Sequence, residues 1–177
     1  MRKLSHEEIV SRQVKKADSP RLPVCVVLNN IRSLYNVGTI FRTADGAGVE
    51  KIWLCGITGY PPQGGIAKTA LGAEDHVPWE YRENILGLIK ELKKEGYQIV
   101  LLEQMQGSTS HDVFKARSPV CLVIGNELEG IAEELQSLSD AAIEIEMDGI
   151  KNSLNVAVAF GIAVYQLRGQ LKNKLLS

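Results

Sequence analysis

A chain of 177 residues that is 45% hydrophobic and 23% charged has the make-up of one ordinary globular domain with a real core. No apolar run is long enough to span a membrane and MRKLSHEEIV has no apolar leader stretch, so a cytoplasmic protein without membrane attachment is expected. A net charge of −1 does not mark a nucleic-acid binder, but residues 1–42 carry eight basic side chains against three acidic ones and the rest twelve against eighteen, which leaves room for a basic N-terminal face.

Taken in order, Ser5 with Glu8 has the form of a capping box and predicts a helix from Ser5 to Lys16. A solvated helix and a phosphate-following one both account for its charges. Val24 to Leu28 is a continuous valine-rich run, the pattern of a strand covered on both faces. The polar stretch Asn29 to Asn36 follows, then Val37, Ile40, Phe41 and Ala44 at helical spacing, with Asn36 placed to cap that helix and Arg42 off its apolar stripe. Lys51 to Cys55 predicts a second strand, and the glycines and prolines from Gly56 to Gly65 an irregular loop. Lys68 to Glu74 reads as a short helix and Glu83 to Lys94 as a longer one stopped by Gly96. Tyr97 to Leu102, Val120 to Ile124 and Ala142 to Glu146 read as further strands, Asp112 to Ala116 as at most a helical turn, and Ala132 to Leu138 as a helix. Strands alternating with helices predict an α/β domain over residues 1–177, a mainly parallel sheet with helices on both faces, preceded by a basic helical extension over residues 1–20.

The final helix, beginning near Leu154, is apolar almost all the way round through Val156, Val158, Phe160, Ile162 and Val164. Periodicity is indifferent between a central core helix and one shared with a second copy. Asn152, Ser153 and Asn155 at its mouth tip the reading toward a ligand-bearing homodimer, because polar groups there need partners. Cys25, Cys55 and Cys121 stand singly in apolar runs with no zinc spacing, so they are expected buried and reduced, with no metal site.

Ligands of open parallel sheets sit beyond the carboxyl ends of the strands. The polar, glycine-bearing loops Asn29 to Asn36, Gly125 to Gly130 and Met147 to Asn155 are therefore the candidate site. The chain has no GxGxxG, no GxxxxGK[ST] and no GxSxG, which disfavours a dinucleotide enzyme, a P-loop enzyme and a serine hydrolase; His6, His76 and His111 lie in unrelated polar segments.

NNIRSLYNVGTIFRTADGAG, LVIGNELEGI and IEMDGIKNSLNVAVAFGIAVYQ, in that order, resemble the three motifs of the SpoU/TrmH family of S-adenosylmethionine-dependent RNA ribose 2′-O-methyltransferases, of the SPOUT class. The resemblance covers residues 23–170. It implies a C-terminal trefoil knot, a homodimer and S-adenosylmethionine as the methyl donor, with tRNA or rRNA as substrate. By motif position it implies Asn36, Arg42, Glu127, Ser153 and Asn155 as the catalytic set, and cofactor contacts at Leu102, Glu103, Gly125, Asn126, Ile145, Met147, Ser153 and Leu154. Glu146 stands where the family often has proline.

An always-protonated guanidinium is a poor base, so Arg42 is expected to hold the phosphate beside the target ribose by a bidentate contact. The partial positive charge at the start of the last helix suits a carboxylate or adenine acceptor better than a sulfonium. Arg12, Lys15, Lys16, Arg32, Arg42 and Lys68 are the expected RNA contacts. A non-catalytic RNA-binding protein of the same fold and a base-directed methyltransferase are the alternatives.

Overall fold

The structure is a computed structural model describing residues 1–14 and 19–175, with side chains as far as Lys172. Seven strands form one sheet: β1 (Leu22–Asn29), β2 (Val49–Cys55), β3 (Trp79–Arg82), β4 (Gln98–Leu102), β5 (Thr109–Ser110), β6 (Val120–Ile124) and β7 (Ala141–Glu144). Their order is β3-β2-β1-β6-β4-β7-β5, every pairing parallel.

The unbroken apolar run of β1 is what a strand at the middle of such a sheet requires. Val24, Val26 and Leu28 enter one core with Phe41, Ile66 and Phe160, while Cys25 and Val27 enter the other with Ile89, Ile99 and Leu135. Successive side chains on a strand point to opposite faces, so both layers draw on the same few residues. Helices α2 (Leu34–Ala47), α3 (Gly64–Ala70) and α6 (Val156–Leu175) cover the first face; α4 (Ile85–Lys94) and α5 (Glu133–Gln136) cover the second. All three cysteines are buried and unpaired, and burial pushes the Cys55 thiol up to about 12.

The N-terminal helix α1 (His6–Val14) has its capping box: Glu8 N donates to Ser5 Oγ at 3.2 Å and Ser5 N to Glu8 Oε2 at 2.8 Å. It buries none of its residues, as a solvated helix does. Lys15 and Lys16 lie outside the described residues.

Several boundaries differ from the sequence reading. α3 begins at Gly64, inside the stretch expected to be irregular, because helix packing needs its glycines: a Cβ on Gly65 would lie 2.8 Å from Leu34 Cβ. Across the same contact a Cβ on Gly38 would run into the Ile66 carbonyl oxygen and Thr69 Oγ1. The single helix expected from Lys68 to Glu74 is broken at Leu71 (φ 53) and Gly72 (φ 88), leaving a separate 3-10 turn at Ala73–Asp75. α4 starts two residues later than Glu83, capped by Asn84, whose Oδ1 accepts from Gly87 N at 3.0 Å. α5 has four residues where seven were expected. β3 and β5 were not expected at all, being four and two residues long.

Candidate functional site

β7 ends at Glu144, short of Glu146, and the chain from Ile145 to Asn155 has no regular structure. Among the described residues, the one hydrogen bond to a backbone group of Ile145–Leu154 is that of the Asn152 carbonyl, from Gln104 Nε2 at 2.8 Å. This loop, with the ends of β4 and β6, borders a solvent-open cleft whose cavity volume is about 140 Å³.

Among the expected cofactor contacts, Leu102, Glu103, Gly125, Asn126, Ile145, Met147, Ser153 and Leu154 all line this cleft. Gln104, Ile124, Glu144, Val156 and Ala159 also line it and were missed; strand-end position marked Ile124 and Glu144, but Ala159 enters only because α6 turns its first two turns toward the cleft. The walls combine apolar residues with Glu103, Glu127 and Glu144, and among the described residues no lysine or arginine lines them. A phosphate-bearing cofactor finds no counter-charge here, whereas a cation finds three.

Gly125 and Gly130 close the loop after β6. A Cβ on Gly125 would sit 2.5 Å from the Gly130 carbonyl oxygen, and Asn126 and Gly130 exchange backbone hydrogen bonds at 3.1 and 3.0 Å. Asn126 organises what lies between: its Oδ1 accepts from Leu128 N at 2.8 Å and Glu129 N at 3.0 Å, and its Nδ2 donates to the Asn30 carbonyl at 2.9 Å. Its side chain is thus occupied in holding loops together.

Three of the five expected catalytic residues form one relay. Arg32 N donates to Glu127 Oε2 at 3.2 Å, Asn36 Nδ2 to Glu127 Oε1 at 3.2 Å, and Asn155 Nδ2 to Asn36 Oδ1 at 3.1 Å. Partial burial pulls the Glu127 carboxyl up, but hydrogen bonds from its own N–H, Arg32 N–H and the Asn36 amide outweigh that and leave it below the usual carboxylate range. Two expectations are corrected. Asn36 does not cap α2: Ser33 does, its Oγ accepting from Asn36 N at 3.3 Å. Asn155 is not inside the last helix but caps it, its Oδ1 accepting from Ala157 N at 2.9 Å.

Ser153 lines the cleft beside this relay and, among the described residues, makes no side-chain hydrogen bond. Arg42 is exposed on α2, six residues and about 9 Å along the axis from Asn36, and no hydrogen bond or ion pair joins it to the relay. Arg12, Arg32 and Lys68 are likewise exposed. Among the described residues no group of histidines, cysteines or carboxylates could hold a metal ion, and no helix is long and apolar enough to cross a membrane.

A wholly parallel sheet with a glutamate-lined cleft at its strand ends, walled by three loops from distant parts of the chain, places the protein among the α/β domains whose candidate ligand site lies beyond the carboxyl ends of the strands. The chain belongs to the SpoU rRNA methylase family, whose model matches residues 23–165. It is 32% identical over 153 residues to the tRNA (guanosine(18)-2′-O)-methyltransferase of Aquifex aeolicus, covering 84% of this chain and 70% of that one. The structure of an A. aeolicus TrmH/SpoU tRNA modifying enzyme superposes with a TM-score of 0.83 at 28% identity, over 96% of this chain and 86% of that one. An AdoMet-bound rRNA methyltransferase from Sinorhizobium meliloti matches with a TM-score of 0.78 at 32% identity, over 84% of this chain and 56% of that one. The chain spans about 60% of the length of other curated relatives that it matches.

Proposed function

We propose that this protein transfers a methyl group from S-adenosylmethionine to a ribose 2′-hydroxyl of tRNA or rRNA. The observation that carries the reading is the cleft itself: among the described residues three glutamates and no basic residue line an open cleft at the strand ends, beside the Glu127–Asn36–Asn155 relay. Those walls fit a sulfonium compound. The backbone groups of Ile145–Leu154 outside the sheet supply donors and acceptors for its adenine and amino-acid ends, and Leu102, Ile124 and Met147 supply apolar surface. Bound there, the cofactor supplies an activated methyl group for in-line attack by the ribose oxygen, with the carbon–sulfur bond breaking as the carbon–oxygen bond forms.

The chain's own part is alignment and charge. Glu127 is held below the usual carboxylate range and is therefore a weak base; its work is to fix the Asn36 amide. Asn36, locked at both ends, and Ser153 then present polar groups to the ribose. Arg42, exposed and without an internal partner, grips the adjacent phosphate through its fork and stabilises the developing oxyanion, and the hydroxyl proton leaves to phosphate or water. Arg32 and Lys68 extend the phosphate contacts, as does Arg12 from α1.

The homodimer belongs to the same proposal. α6 buries Phe160, Ala163 and Val164 in the core, while Val158 and Tyr165 on its other side remain 51% and 49% exposed, which supports a second copy there. α5 and α6 lie on opposite faces of the sheet with Ile145–Asn155 crossing its strand ends between them, a path that supports the trefoil knot. One domain over residues 1–177, acting on cytoplasmic RNA, completes the reading.

Methyl-labelled S-adenosylmethionine is incubated with the protein and, separately, with unmodified tRNA and rRNA, with Arg42→Ala in parallel, and the digests are resolved. A labelled 2′-O-methyl nucleoside that disappears with Arg42→Ala is expected. A labelled base, or no label while cofactor still binds, overturns the proposal.

A further inference from the structure

The chain between β7 and α6 supplies Ile145, Met147, Ser153 and Leu154 to the cleft wall, yet very little holds it in place. Residues 148–155 are all exposed, Ile150 fully so. Among the described residues, Glu146, Asp148, Lys151, Asn152 and Ser153 make no side-chain hydrogen bond or ion pair. The bond from Gln104 Nε2 to the Asn152 carbonyl, at 2.8 Å, is the one tie between β7 and the cap of α6.

Gln104 follows the end of β4, and the residue before it touches a different wall of the same cleft. Glu103 N donates to the Ile143 carbonyl at 3.0 Å, which continues the pairing of β4 with β7. Glu103 Oε1 accepts from Gln104 N at 3.0 Å, and Oε2 lies so near Gly130 that a Cβ there would come within 2.7 Å of it. Two consecutive residues therefore reach the loop after β6 and the loop after β7. Because Glu103 is anchored to the sheet, Gln104 reaches out from a fixed base.

We propose that Gln104 is a positioning residue for the cofactor: its amide holds the Asn152 carbonyl and so sets Ser153 and Leu154 in the cleft wall, an inference that rests on the methyl-transfer reading. Magnitudes favour this role over a purely structural one. One exposed hydrogen bond adds little to a fold whose two cores lie on the faces of the sheet. The loop has no second tie among the described residues, so its local opening depends on this bond. A loop that has opened must be ordered again when a ligand binds, and that ordering lowers affinity. The amide also donates without a charge, whereas a lysine here would set positive charge beside a cleft read as taking a sulfonium. Local spacing gives no sign of the contact, which joins residues 48 positions apart.

Gln104→Met keeps the length of the side chain and loses the donor. Calorimetric titration of the full chain with S-adenosylhomocysteine should show binding about 5-fold weaker than the parent's, the scale of one lost hydrogen bond. Amide hydrogen exchange of the free protein should quicken about 5-fold over residues 149–154 and stay parental in β1 and β6, with a parental melting curve. In methyl transfer, KM for S-adenosylmethionine should rise by more than kcat falls. Gln104→Lys, which restores a donor of sufficient reach, should return exchange in the loop to the parental rate. Parental affinity or parental loop exchange in Gln104→Met, a lowered melting temperature, or no rescue of exchange by Gln104→Lys overturns the proposal. A parent that does not bind S-adenosylhomocysteine refutes the methyl-transfer reading and the role of Gln104 together. A parent that binds it and labels no RNA refutes transfer alone, and the affinity comparison still decides the role of Gln104.

Discussion

Asn155→Asp separates the two jobs that the structure gives one side chain. Asn155 Oδ1 caps α6, and Nδ2 donates to Asn36 Oδ1 at 3.1 Å. Aspartate keeps the capping oxygen and places a negative charge at the start of a 20-residue helix, a gain of about 0.3–1 kcal/mol. Against this stands the lost amide hydrogen bond, about 1 kcal/mol. The two nearly cancel, so the melting temperature of Asn155→Asp should stay within about 4 °C of the parent. Asn155→Ala loses the cap and the amide bond together, about 2 kcal/mol, and should melt about 4–8 °C lower.

Activity should not follow stability. In Asn155→Asp an oxygen faces Asn36 Oδ1, and Asn36 cannot escape by turning its amide over, because Nδ2 is already committed to Glu127 at 3.2 Å. The relay must break at one of its two joints. A penalty of about 1.5–3 kcal/mol on alignment corresponds to a roughly 10- to 100-fold fall in kcat, with cofactor affinity unchanged. Thermal melts, calorimetric titration with S-adenosylhomocysteine and single-turnover methyl transfer measure the three quantities. A variant with parental kcat, or one as unstable as Asn155→Ala, would refute the reasoning.

Three further outcomes are expected. Gly38→Ala should destabilise by about 1–3 kcal/mol despite alanine's better helix propensity, because its Cβ meets the backbone of α3; a parental melting curve in calorimetry would mean that α2 and α3 slide apart freely. Glu127, depressed in the fold, contributes stability that is present above the usual carboxylate range and lost as pH falls through its folded value. Glu127→Gln should therefore cost more stability near pH 7 than near pH 3 in urea titrations, and an equal cost at both would contradict the assignment. Arg42→Lys should lose about 10-fold or more in kcat/KM if the fork of the guanidinium holds a phosphate, and near-parental turnover on RNA would show that a point charge suffices.

The parts of the fold that were legible in the sequence are those that one residue pattern determines. β1 and β6 are unbroken apolar runs because both faces of the strand are buried, and the Ser5–Glu8 box is a local exchange of two hydrogen bonds. α3 was not legible because Gly64 and Gly65 are loop formers by propensity, and only the close approach of Leu34 to Gly65 gives one of them a packing reason to be in a helix. β3 and β5 are short edge-side strands whose pairing with β2 and β7 is decided by the sheet. At the site, residue types and strand-end position pointed to the right loops, but the relay was out of reach. Asn36 meets Glu127 across 91 positions and Asn155 across 119, distances that no local spacing encodes. The capping of α2 was misplaced for a related reason: Ser33 and Asn36 are equally good caps by composition, and where the first turn begins is settled by Leu34 packing against α3.

A net charge of −1 conceals how the charges are sorted. Glu103, Glu127 and Glu144 line the cleft, while the exposed Arg32, Arg42 and Lys68 are not among its walls. A cation is favoured inside and a phosphate backbone outside, and a ligand carrying both charges has one way round to lie. The loop after β6 carries Glu127, a residue of the cleft wall, which accepts from Arg32 N in the loop after β1. Asn126 ties that wall to the loop after β1, so the geometry on either side cannot shift independently.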